Sequence, residues 1–154
     1  MDRTTRGLLA GIIAGIAMNV WNLFDYYVFH ITKIRFLDWL WVLLTLDKPE
    51  NSLQSVIALI IQIIIWDGFL GVVFAHLLVM ITSQGIVYKS TIYGLLLWFS
   101  FKVAVNFYRI PVLSGIQPFP GALSNLLAVI LWGIILGLIL KIFEKSNKGI
   151  GIIT

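Results

Sequence analysis

A chain of 154 residues that is 60% hydrophobic and 12% charged, with a mean hydropathy of +0.99, carries about half the charge of a soluble domain and too little polar surface to face water. The net charge of +4 needs no nucleic acid to explain it, since basic ends beside an anionic leaflet are a sufficient account. The absence of cysteine excludes disulfides, thiol redox relays, thiolate metal sites and iron–sulfur clusters together.

Crossing about 30 Å of hydrocarbon takes roughly 20 residues of helix, and four apolar segments of that order use up most of the chain. The expected fold class is therefore all-α: a polytopic membrane protein with four transmembrane helices and a short interfacial helix in the first loop, forming one membrane domain over 1–154. The first span is predicted at about residues 7–31. Arg3 and Arg6 ahead of the apolar run from Gly7 to Ala17 mimic a secretory signal, with Gly15 and Ala17 as a small-residue cleavage site. Apolar sequence continues through Trp21, Phe24 and Phe29, which suits an uncleaved helix better.

The first connection contains Phe36-Leu37-Asp38-Trp39-Leu40-Trp41-Val42-Leu43-Leu44, too short to cross and too apolar to float. Its two tryptophans favour the headgroup level, so an interfacial helix is predicted at about 36–46. Asp47 and Glu50 have a capping-box spacing, with Asn51 and Ser52 as alternative caps for a second span at about 53–81. A short turn leads to a third span at about 90–108. The stretch from Ile110 to Gly121 holds three prolines and no charge, so it reads either as a tight hydrophobic hairpin or as a cap over the outer mouth of the bundle. The fourth span is predicted at about 121–140, followed by a tail from Glu144 that shows no periodicity and is expected to be loosely held.

Loop charges set the orientation. With both termini inside, the inner side holds Arg3, Arg6, Lys89, Lys141, Lys145 and Lys148, against Lys33, Arg35, Lys48 and Arg109 outside. Cytoplasmic termini and a plasma-membrane location follow as the expectation.

With span centres near Asn19, Asp67, Trp98 and Trp132, Asp67 falls near the midplane, and Asp25 and Lys102 fall roughly 9 Å and 6 Å toward the outside at about 1.5 Å of rise per residue. A charge at mid-helix costs roughly 2.5 to 3.5 kcal/mol on insertion scales, so these three should face the bundle and pair or change protonation state. Asn19 and Asn22 share one face of the first span, and Lys102 and Asn106 share one face of the third. Asn19, Asn22, Asp25, Asp67, Lys102 and Asn106 thus form a candidate intramembrane polar cluster, either an interhelical clamp that fixes register or a conduction or proton-relay pathway.

Trp21, Trp66, Trp98 and Trp132 fall at nearly one height, one per span. Tryptophan usually marks the interface, so a mid-depth aromatic layer reads as core filling, as lipid-facing rings or as an aromatic ligand box. Trp98 stands four residues before Lys102, a spacing that permits a cation–π contact. Gly11 and Gly15, and likewise Gly133 and Gly137, make small-residue strips for helix packing, within one bundle or between protomers. Gly68, Gly71 and Ala75 form a similar strip. His30 and His76 lie roughly 30 Å apart along the normal and cannot share a metal. No G-x-S-x-G elbow, H-E-x-x-H, phosphate-binding G-x-x-x-x-G-K-[ST] or G-x-G-x-x-G fingerprint occurs, so no catalytic residue, cofactor or metal is expected.

At Val28-Phe29-His30-Ile31-Thr32-Lys33-Ile34, in the Trp-rich first loop, and at Ile92-Tyr93-Gly94-Leu95-Leu96-Leu97-Trp98, the chain resembles the YqhR-like membrane proteins of Gram-positive bacteria, over about residues 10–140. The resemblance implies a bacterial plasma-membrane protein of about four spans and says nothing about chemistry. Lys102 stands where the relatives are apolar, so the resemblance gives that lysine no role. The function expected from the sequence is a non-catalytic helix bundle in the lipid bilayer that associates with itself as a homo-oligomer or with another membrane protein, with no nucleic-acid partner. The alternative is a small transporter or channel component with Asp67 and Lys102 as its coupling or selectivity charges.

Overall fold

The computed structural model describes residues 2–80, 84–114 and 117–150, with side chains as far as Lys145. Its elements are α1 (Arg3–Phe29), α2 (Phe36–Thr45), α3 (Ser52–Met80), α4 (Ile86–Phe107) and α5 (Phe119–Ile150). Four of these, α1, α3, α4 and α5, are long and apolar enough to cross a membrane. Their outward surfaces carry Ile13, Ile16, Val20, Ile60, Ile64, Phe69, Leu96, Phe99, Val103, Leu127 and Leu138, all exposed. An apolar exterior of that extent needs hydrocarbon around it and is compatible with a multi-pass membrane protein.

Local sequence accounts for the ends. Asp2 caps α1, accepting from the Thr5 backbone N–H at 3.2 Å and from its hydroxyl. Of the caps available to α3, Asn51 is the one used, its side chain accepting from Gln54 N–H at 2.9 Å. The first two helices stop at left-handed residues, His30 (φ 53°) and Leu46 (φ 63°). The spans differ from the expected ones mainly at their termini: α4 begins at Ile86 instead of about 90, and α5 runs from Phe119 to Ile150 instead of ending near 140. The expected loose tail is therefore helical as far as it is described, and 151–154 lie outside the described residues. The chain between α3 and α4, expected as a plain turn, is described only from Gln84 onward.

Two stretches leave α-helical geometry. Asp25–Phe29 closes α1 as a π-helix, and Ile61–Asp67 interrupts α3 as another. Each has an intramembrane aspartate at one end, and sequence periodicity gives no warning of either.

The four long helices pack in the order α3, α1, α5, α4. Contact is extensive between α1 and α3, between α1 and α5, and between α4 and α5, whereas α3 and α4 touch at few points. Glycine explains two of the three tight crossings. At α1–α3, a Cβ on Gly11 would lie 3.1 Å from Gly68 Cα, and one on Gly15 would lie 2.7 Å from Asp67 Cβ. At α4–α5, a Cβ on Gly133 or Gly137 would lie 2.6 Å from Thr91 Cα or Val87 Cα. Both strips are thus occupied inside one bundle. The main core runs through Ala10, Ala14, Met18, Phe74, Ala75, Ala128, Trp132 and Leu136.

The short helix expected in the first loop is present as α2, and it buries Leu37, Trp39 and Val42 against the bundle. Trp39 and Val42 build a second, smaller core with Val105 and Leu113. The proline-rich segment takes part through Leu113 and Ile110, so it packs on α2 and α4; its residues 115 and 116 lie outside the described residues.

Candidate functional site

The predicted polar residues separate into three groups. The first joins α1, α2 and α5. Asn22, buried, donates through Nδ2 to Asn125 Oδ1 at 3.3 Å and accepts through Oδ1 from the Phe36 backbone N–H at 2.7 Å. That N–H is one of the unpaired donors of the first turn of α2, so a side chain of α1 fixes where α2 starts. Asp25, equally buried, accepts from Ser124 Oγ at 2.7 Å, and Trp21 Nε1 donates to the same Ser124 oxygen at 3.3 Å. Asn19 turns back on its own helix and donates to Gly15 O at 2.9 Å.

The second group surrounds Lys102. Its ammonium donates to Gln117 Oε1 at 2.6 Å and lies 4.3 Å from the centroid of the Trp39 ring. The cation–π partner is therefore Trp39 of α2, where the four-residue spacing suggested Trp98. Asn106 donates to the Lys102 carbonyl at 2.9 Å. No bond joins Lys102 to Asp25 or Asp67: Lys102 meets a neutral oxygen and an aromatic face, Asp25 meets a hydroxyl, and Asp67 Oδ2 has no partner. Their similar depth did not bring them together, because Asp25 faces α5 while Lys102 faces α2 and the proline-rich segment.

The third group lines a cavity of about 360 Å³ where α3 and α4 fail to meet. Its walls come from every helix. They include Met18, Phe36, Leu40, Leu70, Leu97 and Phe101, with Trp66 and Ser100 exposed at the rim. Beside it Tyr93 of α4 donates to Leu70 O of α3 at 3.3 Å and stacks at 5.1 Å on Phe74. Four polar atoms in these mostly apolar walls have no hydrogen-bond partner: Asp67 Oδ2, Gln62 Oε1, Trp39 Nε1 and Trp132 Nε1. Buried polar atoms are rarely left unpaired, and here the four residues that carry them all line one cavity, with the Asp67 oxygen itself packed against Gly15 of α1. The π-helix brings two of them there. Its hydrogen bonds reach five residues along the chain, so Gln62 and Asp67 share a face and are both buried. Gly15 leaves room for the carboxyl, since any side chain there would collide with it.

Of the mid-depth tryptophans, Trp66, Trp98 and Trp132 line the cavity together with Trp39, while Trp21 lies on the α5 side of α1. The histidines stay apart: His30 Nδ1 is 3.1 Å from Tyr26 O and His76 Nδ1 is 2.9 Å from Val72 O, each on its own helix. Among the described residues no group of three His, Cys, Asp or Glu side chains is arranged to hold a metal.

Sequence reasoning missed Gln62, Gln117, Ser124 and Asn125. The adjacent Ser124-Asn125 in an otherwise apolar span was a readable signal, since such a pair has to find partners in a neighbouring helix. It also missed an ion pair that fixes α2: Arg35 Nη2 lies 2.7 Å from Asp38 Oδ1, with further bonds to Tyr27 and Ser55. The hydrogen bond to Asp38 raises the Arg35 guanidinium above its ordinary range despite partial burial.

Comparison with protein-family models, with curated proteins and with solved structures gives no match to this chain. The reading of its site rests on its own geometry.

Proposed function

We propose that the protein is a non-catalytic membrane-embedded binding protein, which takes up a molecule from the lipid phase into the cavity between α3 and α4. The observation that carries this is a largely apolar cavity lined by Asp67, Gln62, Trp39 and Trp132, four residues that each hold a buried polar atom with no hydrogen-bond partner. A pocket with apolar walls and a few polar groups is the usual form of a small-molecule site, and 360 Å³ falls within its ordinary range of about 300 to 1,000 Å³. Its rim lies between two spanning-length helices, so access is from the side. Release on either leaflet would make the protein a transport component, the alternative function expected from the sequence.

Association with itself or with another envelope protein draws less support. The glycine strips that suggested it are used within the bundle. The location proposed is the plasma membrane of a bacterium, with both termini in the cytoplasm; this rests on the likeness to the YqhR-like proteins and on the six-to-four excess of basic residues on the terminal side.

Native mass spectrometry of protein extracted in its own lipid tests the reading against a variant with the cavity filled, Ala104→Phe. The expected result is a small molecule retained by the wild type and lost from the folded variant. A co-purifying protein or defined oligomer, unchanged in the variant and with no small molecule in either, would overturn the binding reading in favour of assembly.

A further inference from the structure

The chemistry of the cavity walls narrows the ligand. Resting on the reading of this cavity as a binding site, we infer that its ligand is a lipophilic organic cation, an ammonium group on an apolar body, held by the Asp67 carboxylate within a cage of indole rings.

Three observations point the same way. Asp67 is only 2% exposed, one carboxylate oxygen is unpaired, and no lysine, arginine or histidine is among the residues lining the cavity. Lys102, the basic side chain of α4 at that end of the bundle, is already engaged with Gln117 and the Trp39 ring. An anion would gain nothing from the Asp67 carboxyl, whereas a cation beside it would favour the ionised form by supplying the opposite charge that the protein does not. Next, four of the six tryptophans line this one space, and indole is the best side chain for attracting a cation to its face. Third, Gln62 lines the cavity on the same helix face as Asp67, so the polar side of the space is made by two acceptor-bearing side chains of one helix. The remaining walls are hydrocarbon and aromatic, which excludes small hydrated inorganic cations in favour of a body that gains by leaving water. The volume sets the size: about one ring or a short branched chain inside, with any longer tail passing the rim between α3 and α4.

The test uses the full chain in lipid nanodiscs, titrated with benzyltrimethylammonium and with neopentylbenzene, its uncharged carbon isostere, and read by tryptophan fluorescence. The expected result is saturable one-to-one binding of the cation at least tenfold tighter than the isostere, with the preference lost in Asp67→Asn. Trp98→Leu keeps the carboxylate and removes one wall of the cage, so it is expected to weaken the cation several-fold more than the isostere. This second variant decides the matter if Asp67→Asn fails to fold. Equal affinity for the two compounds, or a cation preference untouched by these variants, would overturn the cation assignment while leaving the cavity as a binding site. No saturable binding of either compound would overturn both.

Discussion

Asn22 serves three helices with one side chain, and its position shows what a buried amide can do that an apolar residue cannot. Replacing it by leucine leaves the Phe36 N–H and the Asn125 amide without partners. Interhelical hydrogen bonds in membrane proteins average about 0.6 kcal/mol, but an orphaned donor costs about 1 to 3 kcal/mol. Asn22→Leu is expected to lower stability by about 2 kcal/mol on that basis, seen as a lower midpoint in thermal unfolding in mild detergent. A second expectation concerns the two charges that the sequence invites one to pair. Asp67 and Lys102 share no partner, so the effects of Asp67→Asn and Lys102→Met should add to within about 0.5 kcal/mol in a double-mutant cycle. A direct ion pair would instead make the double variant markedly more stable than the sum.

Glycine does two different jobs in these helices, and substitution separates them. Gly71 sits where α3 crosses α1, and a Cβ there would come 2.7 Å from Gly11 Cα. Gly85, before α4, has φ +69° and nothing near it. Gly71→Ala should cost about 1 to 3 kcal/mol by forcing two backbones apart, and Gly85→Ala about 1 to 2 kcal/mol by left-handed strain alone. Asparagine discriminates between them: it tolerates the left-handed conformation, so Gly85→Asn should be milder than Gly85→Ala, while Gly71→Asn should be worse than Gly71→Ala in the same unfolding assay. The four long helices were legible in the sequence because length and composition suffice for them. The burial of Trp39 was not, because a tryptophan is at home both at an interface and in a core, and its partners Val105 and Leu113 are distant in sequence. The π segments were not legible either, since a single wide turn leaves no period in a run such as Ile60-Ile61-Gln62-Ile63-Ile64-Ile65. Within the site, the sequence pointed to Asp67 and three of the four lining tryptophans as notable residues, but their common cavity exists only through the packing order of the helices.

That packing order governs the whole molecule. Because both glycine strips are consumed internally, no small-residue seam is left for a second copy among the described residues, and native mass spectrometry in nanodiscs should find a monomer as the principal species. A stable dimer that survives Leu96→Asn and Phe99→Asn on the exposed face of α4 would mean that another surface has been overlooked.

The scant contact between α3 and α4 also sets how the molecule resists force. Three sides of the bundle are fastened by one long helix against another, while on the fourth side α2 fills part of the gap and Tyr93 reaches across to Leu70 and Phe74. Prising α3 from α4 therefore breaks few direct contacts, whereas separating either from its glycine-lined partner breaks many.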